Sequence, residues 1–222
     1  MWQVFNDSLM KNEMLWQSVQ QNQYFYWSIL VCAAVLAWVT QTSFILAILT
    51  FVYASFVGYA GHASVHCINF TKAYEECTNP ILKNNVATPI LTRVCKYMDF
   101  HDQIHHDTGV NKQIKHVLIE FVLNFITQGG LLIVMVLLCR YVNVYVVLLW
   151  ALAYCTVHNI NYDYLNPVSH QLHHKDNSTN YGIDIWDILF GTKYPGDAIE
   201  NINHYAINMV LITAIIVLCF ID

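Results

Sequence analysis

Charge is what this 222-residue chain has least of: only 11% of it is Asp, Glu, Lys or Arg, and none occurs in residues 14–71, 121–139, 141–162 or 201–221. Soluble domains carry roughly a quarter charged residues, so an ordinary soluble protein is excluded. The 56% hydrophobic content and the mean hydropathy of +0.40 agree. Glycine is scarce, at eight residues, and none stands in a G-x-G-x-x-G array, which removes a dinucleotide site of that type. An H-E-x-x-H protease motif is missing as well. The seven cysteines form no C-x-x-C pair and read as free thiols or small buried hydrophobes in a reducing compartment. A formal charge of −5 gives no reason to expect nucleic acid as a partner. Residues 1–23 are polar and acidic rather than a basic stretch before a short apolar core, so no signal peptide is expected there.

The uncharged stretches are long enough for membrane helices, which need about 17 to 25 apolar residues. The first holds two, at 24–39 and 44–61, broken by Thr40-Gln41-Thr42-Ser43. A second hairpin runs over 116–138, turns at 139–143 and returns over 144–157, and a fifth apolar segment occupies 205–221. Backbone groups in lipid must be satisfied within the segment, so these runs are expected to be helices. The organisation expected is a cytoplasmic N-terminal segment at 1–23, a main domain of two membrane hairpins plus a cap at 24–204 and a C-terminal membrane helix at 205–222. The fold class is therefore all-α: an integral membrane bundle of four to five helices with a helical cap built from segments 67–115 and 159–204.

If the first helix leaves from the cytoplasmic side, then Lys11, Lys72, Lys83, Arg93, Lys96, Lys112, Lys115, Lys175 and Lys193 stay there and only Arg140 lies across the membrane. That is a strong positive-inside bias.

Against this apolar background stand eleven histidines, eight of them in three tight boxes. His62 and His66 lie four apart on one helical face, at the cytoplasmic end of the second span. The second box is His101, His105 and His106. A helix there puts His101 and His105 on one face and turns His106 about 100 degrees away. The third is His170, His173 and His174, preceded by His158 at the end of the fourth span. All fall on the side the basic residues choose. So many imidazoles exceed what one tetrahedral zinc uses, and they suit a dinuclear transition-metal centre. Asp99, Asp102, Asp107, Asp163, Asp176 and Glu120 lie close enough in sequence to orient imidazole N–H groups. His204 matches no box and reads as an interfacial residue.

The succession H-x-x-x-H, H-x-x-x-H-H and H-x-x-H-H resembles the fatty acid hydroxylase and sterol desaturase superfamily of membrane diiron enzymes. The tail from His170 to Thr192 is similar to the family's H-x-x-H-H box followed by Asn180-Tyr181-Gly182, Trp186-Asp187 and Phe190-Gly191-Thr192. Val157 to Asp163 resembles the lone-histidine element of sterol methyl oxidases. His116 with Glu120 is similar to a family His-Pro-x-Glu, with Val117 in place of the proline. The likeness covers about residues 58–193, so the last apolar segment lies beyond it. Two departures stand out. The second box has one residue more between its first two histidines than many members have. The fatty acid branch also has a histidine where this chain has Tyr162.

The resemblance implies an oxidoreductase that uses dioxygen to hydroxylate or desaturate an unactivated C–H bond of a sterol-type or fatty-acyl lipid. It implies two iron ions, replaceable by zinc in a purified sample, held by His62, His66, His101, His105, His106, His158, His170, His173 and His174. His116, Glu120, Asp163, Tyr162 and Asp102 are candidates for further ligands or for groups that orient them. Asp187, Trp186 and the Asn180-Tyr181-Gly182 run are expected to hold the third box, and Gly182 and Gly191 to end turns. Electrons are expected from a separate small cytochrome or flavin reductase. The location expected is the endoplasmic reticulum or an equivalent inner membrane, with the boxes on its cytoplasmic face. A plasmanyl-lipid type of histidine-box desaturase and a non-enzymatic metal transporter are the alternatives. The scarcity of ionisable residues in the first three apolar helices weighs against the transporter.

Overall fold

A computed structural model of the chain describes residues 2–101, 106, 113–130 and 142–220, apart from the side chains of 2–9, 130, 163 and 220. Among the described residues all regular structure is helical. The longer elements are α1 (Trp2–Gln21), α2 (Gln23–Val39), α3 (Phe44–Cys67), α4 (Phe70–Glu76), α5 (Ala87–Met98), α6 (Ile114–Phe125) and α7 (Val144–Thr156). They are followed by α8 (Tyr162–Leu165), α9 (Val168–Lys175), α10 (Asp184–Phe190) and α11 (Tyr205–Phe220). α6 continues into a π turn at Ile126–Gly130, and α7 into another at Val157–Asn161.

Four to five spans were expected, and by length and composition the described residues provide two, or three if a bent pair is counted as one. α3 and the run Val144–Asn161 are long and apolar enough to cross a membrane, and α11 is a shorter apolar helix. A third span arises only if residues 10–21 are counted with α2, from which they are bent by 72°. Residues 131–138 of the expected third span lie outside the described residues.

The first hairpin forms where the polar break predicts it. Thr40 closes α2 through its amide to the Leu36 carbonyl, and Gln41 takes a left-handed φ of 53°. Ser43 then caps α3 by accepting from the Leu46 amide at 3.4 Å. At the same end Asn143 caps α7 and donates to the hydroxyls of Thr40 and Thr42 at 2.9 and 2.8 Å, tying α7 to the α2–α3 hairpin. The core here is apolar, with aromatic contacts at its centre: Phe51 meets Trp150 edge-on at 5.3 Å, and Trp150 stacks on Tyr205 at 6.3 Å. α11 thereby packs against α2 and α7.

At the other end α3 approaches the π turn after α6 through two glycines. A Cβ on Gly61 would stand 3.1 Å from the Thr127 carbonyl, and one on Gly58 would collide with the buried amide of Gln128, itself donating to the Gly58 carbonyl at 3.1 Å. Small residues at a helix crossing allow this backbone approach. Gly58→Ala is therefore expected to destabilise the protein by about 1–3 kcal/mol through overpacking. Thermal unfolding in detergent measures this, and an unchanged midpoint would contradict the packing described.

Residues 1–23, expected as a polar cytoplasmic segment, carry a 20-residue helix. α1 packs on α10. Its end is held by Gln21, which donates to the Ile199 carbonyl at 3.0 Å, and by Asn22, which donates to the Glu200 carbonyl at 2.9 Å. The π turns at the ends of α6 and α7, the start of α9 and the loop before α10 meet at this end of the bundle.

Candidate metal centre

Each histidine box contributes from a different element. α3 ends in His62 and His66, with rings 5.0 Å apart as four-residue spacing requires. His158 sits in the π turn after α7, where Tyr154 stacks on it at 5.3 Å. α9 carries His170, His173 and His174.

The second box departs from the helical expectation. The amide of His106 bonds to the His101 carbonyl five residues back, a π-type turn. His106 is thus brought to the same side as His101, with rings 5.2 Å apart, instead of pointing away. His105, Asp102 and Asp107 lie outside the described residues, as does the side chain of Asp163.

His62, His66, His101, His106 and His173 each offer a ring nitrogen, and these nitrogens all lie within 4.8 Å of one another. This cluster could hold a metal ion. Nitrogens bound to one ion at about 2.1 Å stand roughly 3.0–3.4 Å apart on an edge of its coordination sphere and about 4.2 Å apart when opposite. The Nε2 atoms of His62 and His101 are 3.1 Å apart. A second group, His101, Glu120 and His158, meets the same 4.8 Å limit and shares His101 with the first. His170 and His174 belong to neither group but face each other through Nε2 atoms 3.1 Å apart. They join the rest by ring contacts, His174 with His106 at 4.3 Å and His170 with His158 at 5.0 Å.

Backbone carbonyls fix the tautomers. His62 Nδ1 lies 2.6 Å from the Tyr181 carbonyl, and His173 Nδ1 lies 2.6 Å from the Thr179 carbonyl. A carbonyl only accepts, so each Nδ1 carries the proton and each Nε2 keeps a lone pair. Among the described residues the buried His173 Nε2 has no hydrogen-bond partner, a costly arrangement unless a ligand takes the lone pair. Burial and the neighbouring imidazoles hold His101 and His106 well below the ordinary imidazole range. Burial likewise pulls His173 down to about 4, against its hydrogen bond to Thr179. Neutral imidazoles are the form that binds metal.

Two of the acids close in sequence to the boxes take capping and turn roles instead. Asp99 accepts from the amides of Phe70 and Thr71 at 2.8 and 2.9 Å, which caps α4. Asp176 accepts from the Ser178 amide and hydroxyl at 3.0 and 2.6 Å. Glu120 stays beside a ring, its Oε1 being 3.8 Å from His158 Nε2. His116 turns to its own helix start, accepting from the Gln113 amide at 3.3 Å, and lies in neither group. His204 is also in neither group, and its Nδ1 donates to the Asn201 carbonyl at 3.1 Å.

Asp187 organises the carbonyls. Its Oδ1 accepts from the Tyr181 amide at 2.9 Å and the Thr192 hydroxyl at 2.7 Å, and its Oδ2 accepts from the Gly182 amide at 3.0 Å. Thr192 also meets the Tyr59 hydroxyl at 2.9 Å, and Trp186 donates to Ser55 at 3.2 Å, docking the tail on α3. The Trp-Asp and Phe-Gly-Thr elements therefore hold the first box as well as the third. Gly191 ends α10 in the left-handed region at φ 74°, as expected. Gly182 instead marks close approach, since a Cβ there would sit 3.2 Å from the Tyr59 ring.

Tyr154 was missed in the sequence, although it precedes His158 by one helical turn; its hydroxyl is 3.3 Å from His62 Nδ1. Glu200 was missed too, and no local pattern marks it. Tyr162 donates to Glu200 at 2.9 Å, and a cavity of about 20 Å³ between that pair and His62, His158 and His170 has room for a water. Burial first, and Asp184 next, push the Glu200 carboxyl up to about 8, with Lys193, Asp197 and Tyr162 also facing it. A raised pKa means that this contribution to stability is complete below the ordinary 4.5 and is lost as pH rises through about 8. Glu200→Gln keeps an acceptor for Tyr162 and is expected to flatten the decline in thermal midpoint between pH 6 and 8. Parallel profiles for the two proteins would contradict this.

In comparisons with known proteins no family model matches the chain, and no curated protein or solved structure was found to match it.

Proposed function

We propose that this chain is a membrane-bound, dioxygen-using oxidoreductase that hydroxylates or desaturates an unactivated C–H bond of a lipid through a pair of irons held by its histidines. The observation that carries the reading is the convergence of three sequence-distant histidine boxes, as buried and half-buried imidazoles, at the end of an apolar helical bundle. The resemblance to the fatty acid hydroxylase and sterol desaturase superfamily supplies the chemistry.

In this reading α2, α3, α6, α7 and α11 are the membrane spans, and α4, α5 and α8 to α10 form a cap on the cytoplasmic side. His62, His66, His101, His106 and His173 hold one ion, and His101, Glu120 and His158 contribute toward a second with His170 and His174. Bound irons would supply dioxygen reduction and hydrogen abstraction, with electrons from a separate reductase or small cytochrome. The chain's own share is to keep the imidazoles neutral, aim their Nε2 lone pairs inward from the Tyr181 and Thr179 carbonyls, and shield the centre from bulk water. Glu200 and Tyr162, across a water-sized cavity, place a proton donor beside the cluster.

Untargeted lipid analysis of cells expressing the wild type against His173→Ala tests the proposal. A lipid gaining one oxygen or losing two hydrogens only with the wild type is the expected result. Identical lipid profiles would overturn it.

A further inference from the structure

α5 presents Ile90, Val94 and Tyr97 on one stripe, all exposed, with Arg93 and Lys96 on another. Such a helix suits a membrane interface, its apolar stripe toward the acyl region. Facing it, α6 exposes Leu118 and Val122. Between them runs an open apolar groove of about 570 Å³, bounded by Val94, Tyr97, Met98, Leu118, Val122 and Leu123 among others. That volume is in the range of small-molecule sites.

The groove is not isolated. Tyr97, Met98 and Leu123 also border a second, narrow cavity of about 10 Å³, whose far wall is His62 and His101. These three side chains form the neck between the groove and the histidine cluster. We propose that the groove between α5 and α6 seats the hydrocarbon chain of a linear acyl or alkyl lipid, whose reacting carbons reach the histidines through the neck at Tyr97, Met98 and Leu123. This deepens the oxidase reading and rests on it for the fate of the lipid. Continuity with the cluster names the occupant. The cavity behind the neck holds no more than about one water-sized group, so any lipid must part these side chains: a polymethylene chain needs the smallest opening, whereas a fused ring system would also have to displace Leu123 on α6 and Val65 on α3. Met98, unbranched and adaptable, lets such a neck follow a chain.

The test is photolabelling of the purified full-length protein in detergent with a palmitate analogue carrying a diazirine on its chain, mapped by peptide mass spectrometry. Labelling competed by unlabelled palmitate is expected on α5 and α6. It is expected to weaken about tenfold in Val122→Trp, the loss when roughly two methylene contacts are displaced. Val122 is exposed, so this variant tests occupancy without disturbing the core; Leu118→Trp is the second variant. Labelling that is not competed, that falls on the exposed stripe of α11, or that is competed better by cholesterol than by palmitate would overturn the groove assignment. The two proposals fail separately. Competed groove labelling with unchanged cellular lipids would sink the oxidase reading alone, and oxidised lipid with labelling elsewhere would sink the groove alone.

Discussion

His173→Ala is expected to remove bound metal and lipid-oxidising activity together. His173 is 1% exposed, its ring is in contact with those of His62, His66 and His106, and its Nε2 points into the cluster. It is the residue of α9 grouped with His62 and His66 of the first box and His101 and His106 of the second. The substitution leaves a buried void and strips the Thr179 carbonyl of its donor, so some loss of stability accompanies it, on the order of 1–3 kcal/mol. His204→Ala separates the two effects. It also removes a half-buried imidazole bonded to a carbonyl, but one outside the cluster, and it is expected to keep full metal content. Equal metal loss in both variants would mean that general destabilisation, not ligation, is being measured.

Asp187→Ala is expected to weaken metal binding about 10–100-fold, although Asp187 offers no atom to either ligand group. Its carboxylate gathers the Tyr181 and Gly182 amides and the Thr192 hydroxyl. Without it the loop that presents the Thr179 and Tyr181 carbonyls is free to shift, and the Nδ1 protons of His62 and His173 lose fixed acceptors. Thr192→Val removes one of the three donors and the Tyr59 contact, and a smaller loss is expected from it. Metal titrations of the three proteins check the order. Wild-type affinity in a destabilised Asp187→Ala protein would show that the clamp supports the fold without aiming the ligands.

How much of this was legible in the sequence depended on whether the partner was local. The break between α2 and α3 could be read because Thr40 to Ser43 are polar in an apolar run, and the i, i+4 pair His62 and His66 because a helix imposes that spacing. His106 could not be placed, since a π turn rather than an α-helix carries it. The acceptors for His62 and His173 are main-chain carbonyls, which no residue type announces, and this is why nearby acids such as Asp99 and Asp176 were credited with that work. α1 was hidden because its anchoring partners, Ile199 and Glu200, lie 178 residues away. Asp187 was visible as a motif, but its hold on the first box required seeing Tyr181 beside His62.

Metal stoichiometry tests the central claim most directly. Iron plus zinc, measured by mass spectrometry on purified full-length protein against amino-acid analysis, is expected near two ions per chain in the wild type, with marked loss in His173→Ala. A wild-type value near zero, or one unaffected by His173→Ala, would contradict a dimetal centre built from these boxes.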